Sequence, residues 1–162
     1  MATRSLIGTY HAEDGWRCRY VHWDGYPDGV GAELCRIINR DGVNKAMQVL
    51  TVENPYGWSS IAADTEKPRP EAGDRFATVP GYGHAYQSGD GSDDYVLRGD
   101  DTGAEWAYLV AAMPSGEPMI DVYEWEAIHN DWWPGEWRLS MCIDCATGRT
   151  LATNLKEGRV NV

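Results

Sequence analysis

The stretch Trp16-Arg-Cys-Arg-Tyr-Val-His-Trp-Asp-Gly-Tyr-Pro-Asp-Gly-Val-Gly31 decides the fold. Its first half is β-branched, aromatic and free of breakers, which is strand chemistry. Asp24-Gly25, Tyr26-Pro27 and Asp28-Gly29 then stop the strand, because each pair favours a turn. Beyond them Val30, Leu34, Ile37 and Ile38 recur at helical spacing, so the chain turns a corner from strand into helix, with Asp28 expected as the N-cap. Trp23 and Tyr26 are expected to pack into the core at that corner.

Working outward, residues 4–10 read as a strand that forms a hairpin with residues 16–23 through a turn at Asp14-Gly15. Alternation places Trp16, Cys18, Tyr20 and His22 on one face and Arg17, Arg19, Val21 and Trp23 on the other, the arginine face being the wetter. A second short helix follows the first, with Asp41 as cap and Val43, Ala46, Met47 and Leu50 on one stripe. Residues 53–83 are rich in Pro, Gly and charge and read as a surface excursion in which only residues 76–79 look like a strand. The C-terminal part reads as a meander of strands over 106–112, 119–127, 136–143 and 149–154. The third should place Trp137, Leu139, Met141 and Ile143 on one face, and Arg138, Ser140 and Cys142 on the other. The expected architecture is one α+β domain over residues 1–162, a mainly antiparallel sheet with one or two short helices packed on it.

Composition narrows the function. The 162 residues carry 8 Trp and 9 Tyr against one Phe, so many rings should sit half buried with a polar edge toward water. The net charge of −11 is not spread evenly. Residues 90–136 hold 12 acids and one base, Arg98, so this segment carries the whole imbalance. Such a field repels phosphate backbones and attracts basic surfaces, which argues against direct nucleic-acid binding. No apolar stretch approaches the length of a membrane span and no signal segment opens the chain, so the expectation is a cytoplasmic protein without a membrane partner. The four cysteines are then expected as free thiols.

Several motifs could carry chemistry. The corner His22, Trp23, Asp24, Tyr26, Asp28, Gly29 and Gly31 combines aromatic faces with glycines at a helix start, a pattern that could hold a nucleotide; a rigid structural corner is the default, since Asp28 stands where a phosphate would sit. Cys142 and Cys145 have the spacing of half a zinc site, but the turn Cys145-Ala-Thr-Gly148 explains them without metal. Asp90, Ser92, Asp94 and Asp101 have calcium-loop spacing without the required Gly or the closing Glu. Among the histidines, His22 near Asp24 is the best candidate for a dyad. No nucleophile elbow, phosphate loop or metalloprotease helix is present, and neither a metal nor another cofactor is expected.

The segments Thr3-Arg-Ser-Leu-Ile-Gly8 and Tyr20-Val-His-Trp-Asp-Gly-Tyr-Pro-Asp-Gly-Val-Gly31 resemble a family of small bacteriophage and prophage proteins, many from actinobacterial hosts. The resemblance covers residues 3–38 and extends to Trp58-Ser-Ser-Ile61 and Glu105-Trp-Ala-Tyr-Leu109. It departs at Tyr86-Gln-Ser-Gly-Asp-Gly91, where the family has an Arg-Asp-Arg-Gly element. It implies a phage setting and brings no catalytic residue. Combined with the charge, it leads to the expectation of a non-enzymatic inhibitor or anti-defence protein in the host cytoplasm. Its partner would be a host protein with a basic surface, engaged by Tyr123, Glu124, Trp125, Glu126, Asp131, Trp132 and Trp133. The alternative is a protein that sequesters a nucleotide or signalling molecule at the corner, and a third reading makes the corner an active site.

Overall fold

In the computed structural model the described residues are 2–66, 75–87, 93–112, 115–128, 135–154 and 159–160. They form an α+β body whose strands are β1 (Ser5–His11), β2 (Gly15–Val21), β3 (Trp58–Ile61), β4 (Phe76–Val79), β5 (Gly83–Tyr86), β6 (Trp106–Ala112), β7 (Pro118–Glu126), β8 (Glu136–Asp144), β9 (Thr150–Asn154) and β10 (Arg159–Val160). Between β2 and β3 run α1 (Ala32–Asp41) and α2 (Val43–Met47), each continuous with a wider π-type turn, Pro27–Gly31 before α1 and Gln48–Glu53 after α2. The strand order is β10-β9-β8-β7-β6-β1-β2-β3-β5-β4, and all neighbours are antiparallel except β1 with β6 and β2 with β3. The hairpin at the centre follows from its sequence: β1 and β2 pair without a slip from Ser5↔Val21 to His11↔Gly15.

Successive side chains on a strand point to opposite faces, and here both faces are covered. On one, Ile7, Val21, Trp58, Tyr108, Ile120, Val122 and Ile143 pack against Leu34, Ile37, Ile38, Ala46 and Leu50 of the helical layer. On the other, Leu6, Trp16, Cys18, Ala107, Leu109 and Trp137 make a smaller cluster with Ala104, flanked by Tyr123, Trp125 and Val96. Residues 93–105 close this second cluster. They are anchored where Val96 exchanges backbone hydrogen bonds with Cys18 (2.9 and 3.0 Å) at an edge of β2 that β3 leaves open.

The helix termini differ from expectation. Pro27 opens the helical segment, its fixed φ and missing N–H suiting a first-turn position, and Asp28 lies inside that turn without capping it. Asp41 ends α1 instead of capping α2; the chain reverses at Gly42, whose φ of 82° favours glycine. The Asp41 carboxylate accepts hydrogen bonds from Arg40 and the Tyr82 hydroxyl. Arg40 also donates to the carbonyls of Ala63 and Gly81, both at 2.7 Å, which ties the end of α1 to the segments following β3 and preceding β5. These partners hold Asp41 well below the usual carboxylate range. Burial, with the Asp41 hydrogen bond behind it, pushes Tyr82 up to about 12.

Three further corrections follow from tertiary structure. Residues 58–61 are not surface: Trp58 is fully buried, donates its indole N–H to Leu50 O (2.9 Å), and β3 lies parallel beside β2. Arg19 is not on a wet face. It is buried, donates to Thr51 O and Asp93 O, and stacks on Tyr95 with its guanidinium carbon 3.9 Å from the ring centre. Finally, the alternation of β8 breaks at Ser140, where the register with β7 jumps between Val122↔Met141 and Tyr123↔Leu139. An extra residue in one strand flips the faces on its two sides. Trp137 therefore joins the second cluster while Ile143 joins the first, and Cys142 is buried.

Candidate functional site

At the strand-to-helix corner the glycines serve the chain itself. Val30 N–H donates to Asp24 O at 2.8 Å, and a Cβ on Gly29 would stand 2.2 Å from that same oxygen. Gly25 N–H donates to Thr3 O, and its own carbonyl accepts the buried Tyr108 hydroxyl at 2.6 Å. Asp24, at φ 57°, takes the one positive-φ non-glycine position among the described residues. Its carboxylate accepts from Tyr26 (3.2 Å), while His22 pairs with the Tyr20 hydroxyl (2.8 Å) and stacks edge-on against Trp23, so no His22–Asp24 dyad forms. Trp23 and Tyr26 are 42% and 43% exposed, which corrects their assignment to the core. Asp28 and Gly31 of the corner line a cavity. It is a groove of about 560 Å³ between the start of α1 and the turn joining β8 to β9.

The residues expected to make one acidic, aromatic face divide between two sides of the sheet. Tyr123 and Trp125 turn toward the second cluster, where Trp125 meets Trp137 edge-on at 5.3 Å. Glu124 and Glu126 alternate to the other side and are exposed, and Glu126 shares the Arg138 guanidinium with Glu136. Asp131, Trp132 and Trp133 lie outside the described residues, as do His129 and the Asp90 and Ser92 of the calcium-type pattern.

What the fold does bring together is a different acidic set. A cavity of about 220 Å³ opens between residues 99–105 and the sheet, lined by Asp100, Asp101, Glu105, Trp125 and Trp137. Its wall is held by main chain: Glu105 N–H donates to Arg4 O, Trp125 N–H donates to Glu105 O, and Leu97 N–H caps the Asp100 carboxylate at 2.7 Å. The three carboxylates are exposed residues beside a pair of indoles. Arg98 lies over Trp16 and Tyr123, 5.3 and 5.8 Å from the ring centres, so a guanidinium already rests on neighbouring rings of this cluster. Nearby, Tyr10 donates to Asp121 (2.5 Å) and meets Tyr123 (2.8 Å), and the Cys142 thiol also donates to Asp121 (3.1 Å). Burial and that carboxylate push Cys142 up to about 12 and raise the Tyr10 phenol.

Cys142 and Cys145 do not converge, because residues three apart at a strand end project to opposite faces. Cys145 turns instead to Cys35 of α1, with 3.7 Å between the sulfurs. No group of three or more metal-ligating side chains exists among the described residues, and none of their helices is long and apolar enough to cross a membrane. The acidity of residues 90–136 signalled the pocket's charge, but nothing local marked Asp100, Asp101 and Glu105 as neighbours of Trp137. The chain matches no family model, curated protein or solved structure.

Proposed function

We propose that this chain is a docking module that receives a cationic side chain of a basic protein partner at the pocket of Asp100, Asp101, Glu105, Trp125 and Trp137. The observation that carries the reading is the pairing of three exposed carboxylates with an indole wall in one cavity. Carboxylates draw an arginine or lysine in from a distance, and an aromatic face retains it by cation–π contact once water is displaced. The surplus of acids over residues 90–136 extends the attraction beyond the pocket. The N-terminal resemblance to phage proteins supports a host protein as that partner and inhibition of host defence as its purpose.

The test is kinetic. An immobilised chain is exposed to an unstructured Arg/Lys-rich peptide and to a Glu-rich control over a salt series, and then to host lysate. The combined change Asp100→Asn, Asp101→Asn and Glu105→Gln should slow association about tenfold at low salt and flatten the salt dependence. Trp125→Ala should instead speed dissociation. The reading fails if the charge variant associates as fast as the parent at every salt concentration. It also fails if the chain carries a small ultraviolet-absorbing molecule released on denaturation and no basic partner.

A further inference from the structure

The groove beside α1 holds a pair of thiols that no part of the docking reading uses. Cys35 lies on the face of α1 that lines it, Cys145 in the turn that forms its other wall, and their sulfurs are 3.7 Å apart. The pair is positioned by the backbone. Cys145 N–H donates to Pro118 O (3.2 Å), and Cys145 O accepts from the Asn39 side chain (2.5 Å), one helical turn beyond Cys35. With both amide ends of Cys145 held, bond formation needs the sulfurs to close from 3.7 Å to about 2.05 Å, a side-chain movement and not a refolding of either element.

We propose that Cys35 and Cys145 form a thiol–disulfide exchange site for low-molecular-weight disulfides, with Cys35 as the attacking thiol and Cys145 as the resolving one. The Cys35 thiolate attacks one sulfur of a disulfide RS–SR, forming a Cys35–SR mixed disulfide and expelling RS⁻. Cys145, having lost its proton, then attacks the Cys35 sulfur, forming the intramolecular disulfide and expelling the second RS⁻. The two protons end on the two released thiols, so one small disulfide is reduced as the protein dithiol is oxidised, and an excess of small thiol reverses both steps. The order of attack follows the asymmetry of the pair. Cys35 is 7% exposed against 1% for Cys145, and its hydrogen bond with Cys145 lowers the Cys35 pKa while raising that of Cys145. The remaining cysteines are internal controls. Cys18 is fully buried with its pKa raised by that burial, and Cys142 is held by Asp121.

Native protein is incubated with glutathione disulfide, quenched in acid, and mapped by proteolysis and mass spectrometry. The parent should yield a Cys35–Cys145 cross-link that reduced glutathione reverses. Cys145→Ser should accumulate a glutathionyl adduct at Cys35, and in Cys35→Ser the remaining Cys145 should react about tenfold more slowly or less. Should either variant fail to fold, alkylation of the native parent by iodoacetamide decides, with Cys35 expected to react at least about tenfold faster than Cys18. The proposal is overturned if Cys18 or Cys142 reacts as fast as Cys35, if the parent forms no Cys35–Cys145 cross-link, or if folded Cys145→Ser gathers no adduct at Cys35.

Discussion

The two sides of the sheet are closed in different ways. On the helical side the cover is aliphatic, and the large buried polar side chains are paired, Trp58 with Leu50 O, Tyr108 with Gly25 O and Arg19 with Thr51 O, while the small Ser5 hydroxyl, opposite Val21 on this face, has no partner among the described residues. On the other side the cover is a loop over indoles and phenols, and the Nε1 atoms of Trp16 and Trp137 find no hydrogen-bond partner among the described residues. An unpaired buried donor costs stability on either face, and the loop side bears two indole N–H groups of that kind against the small Ser5 hydroxyl of the helical side. The contrast teaches that the helical side is an aliphatic core with its large polar side chains paired, whereas the loop side is built around charge and ring faces.

The sharpest way to break this contrast is to truncate one tryptophan on each side. Trp58→Ala empties a fully buried site and strands Leu50 O, and should cost about 3–5 kcal/mol. Trp125→Ala removes a half-buried ring and should cost about 1–2 kcal/mol by apolar area. Urea denaturation of both variants measures the difference. Equal losses would make the loop side as much a core as the helical one.

The corner offers the next largest effect. Tyr108→Phe leaves the buried Gly25 carbonyl without its partner and should cost about 1–3 kcal/mol. Trp23→Ala and Tyr26→Ala, although they lie in the most distinctive segment of the chain, should each cost less than about 1 kcal/mol because both rings are exposed. Thermal melts that show the reverse order would place the corner's stability in its rings and not in its backbone.

These positions also show where sequence reasoning reached and where it stopped. The β1–β2 hairpin and the stripe Leu34, Ile37, Ile38 were legible because period and turn chemistry agree over seven or more residues. β3 was not, since four residues hold no period and its place is set by Trp58 reaching Leu50 and by a single register pair with β2. The bulge at Ser140 carries no Gly or Pro to announce it, yet it moves Cys142 and Ile143 to the faces opposite those that alternation assigned. Cys142 and Cys145 attracted attention by proximity in sequence, while the true neighbour of Cys145 lies 110 residues away. The acidity of the candidate site was readable from composition; its geometry depends on residues 99–105 folding back over β7 and β8, which only the tertiary structure shows.

A pH titration sharpens the helical side further. Asp41 is depressed in the folded state, so its contribution is fully present above the unfolded value near 3.9 and is lost as pH falls below it. Tyr82 is raised to about 12, so its contribution is present below the unfolded value near 10 and is lost as pH rises through 12. Asp41→Asn should cost about 1.5–2 kcal/mol at neutral pH, the lower part of the range of a hydrogen bond to a charged group, with the difference from the parent shrinking in acid. Tyr82→Phe should give a difference that shrinks instead in alkali. A pH-independent difference in either variant would mean that packing, not the Asp41–Tyr82 hydrogen bond, secures the end of α1.

The smallest effect on stability belongs to Arg138, and it tests the division between the two sides most directly. Arg138 lies 2.8 Å from both Glu126 and Glu136 and opposite Glu124 in the β7–β8 register, which would look like a stabilising network if ion pairs were merely counted. All three members of the two ion pairs are between 45% and 55% exposed, so solvent screens the attraction and ordering two long side chains offsets much of the remainder. Arg138→Ala should therefore change stability by less than about 0.5 kcal/mol. Its electrical consequence is larger than its structural one: the formal charge moves from −11 to −12, and two carboxylates across the sheet from the acidic loop are released. Association of the Arg/Lys-rich peptide should become faster at low salt and more steeply salt-dependent, with the two proteins converging as ionic strength rises. A loss of stability above about 1.5 kcal/mol would instead mean that this cation serves the fold. Unchanged association at low salt would confine the attraction to the pocket and deny the wider acidic surface a part in it.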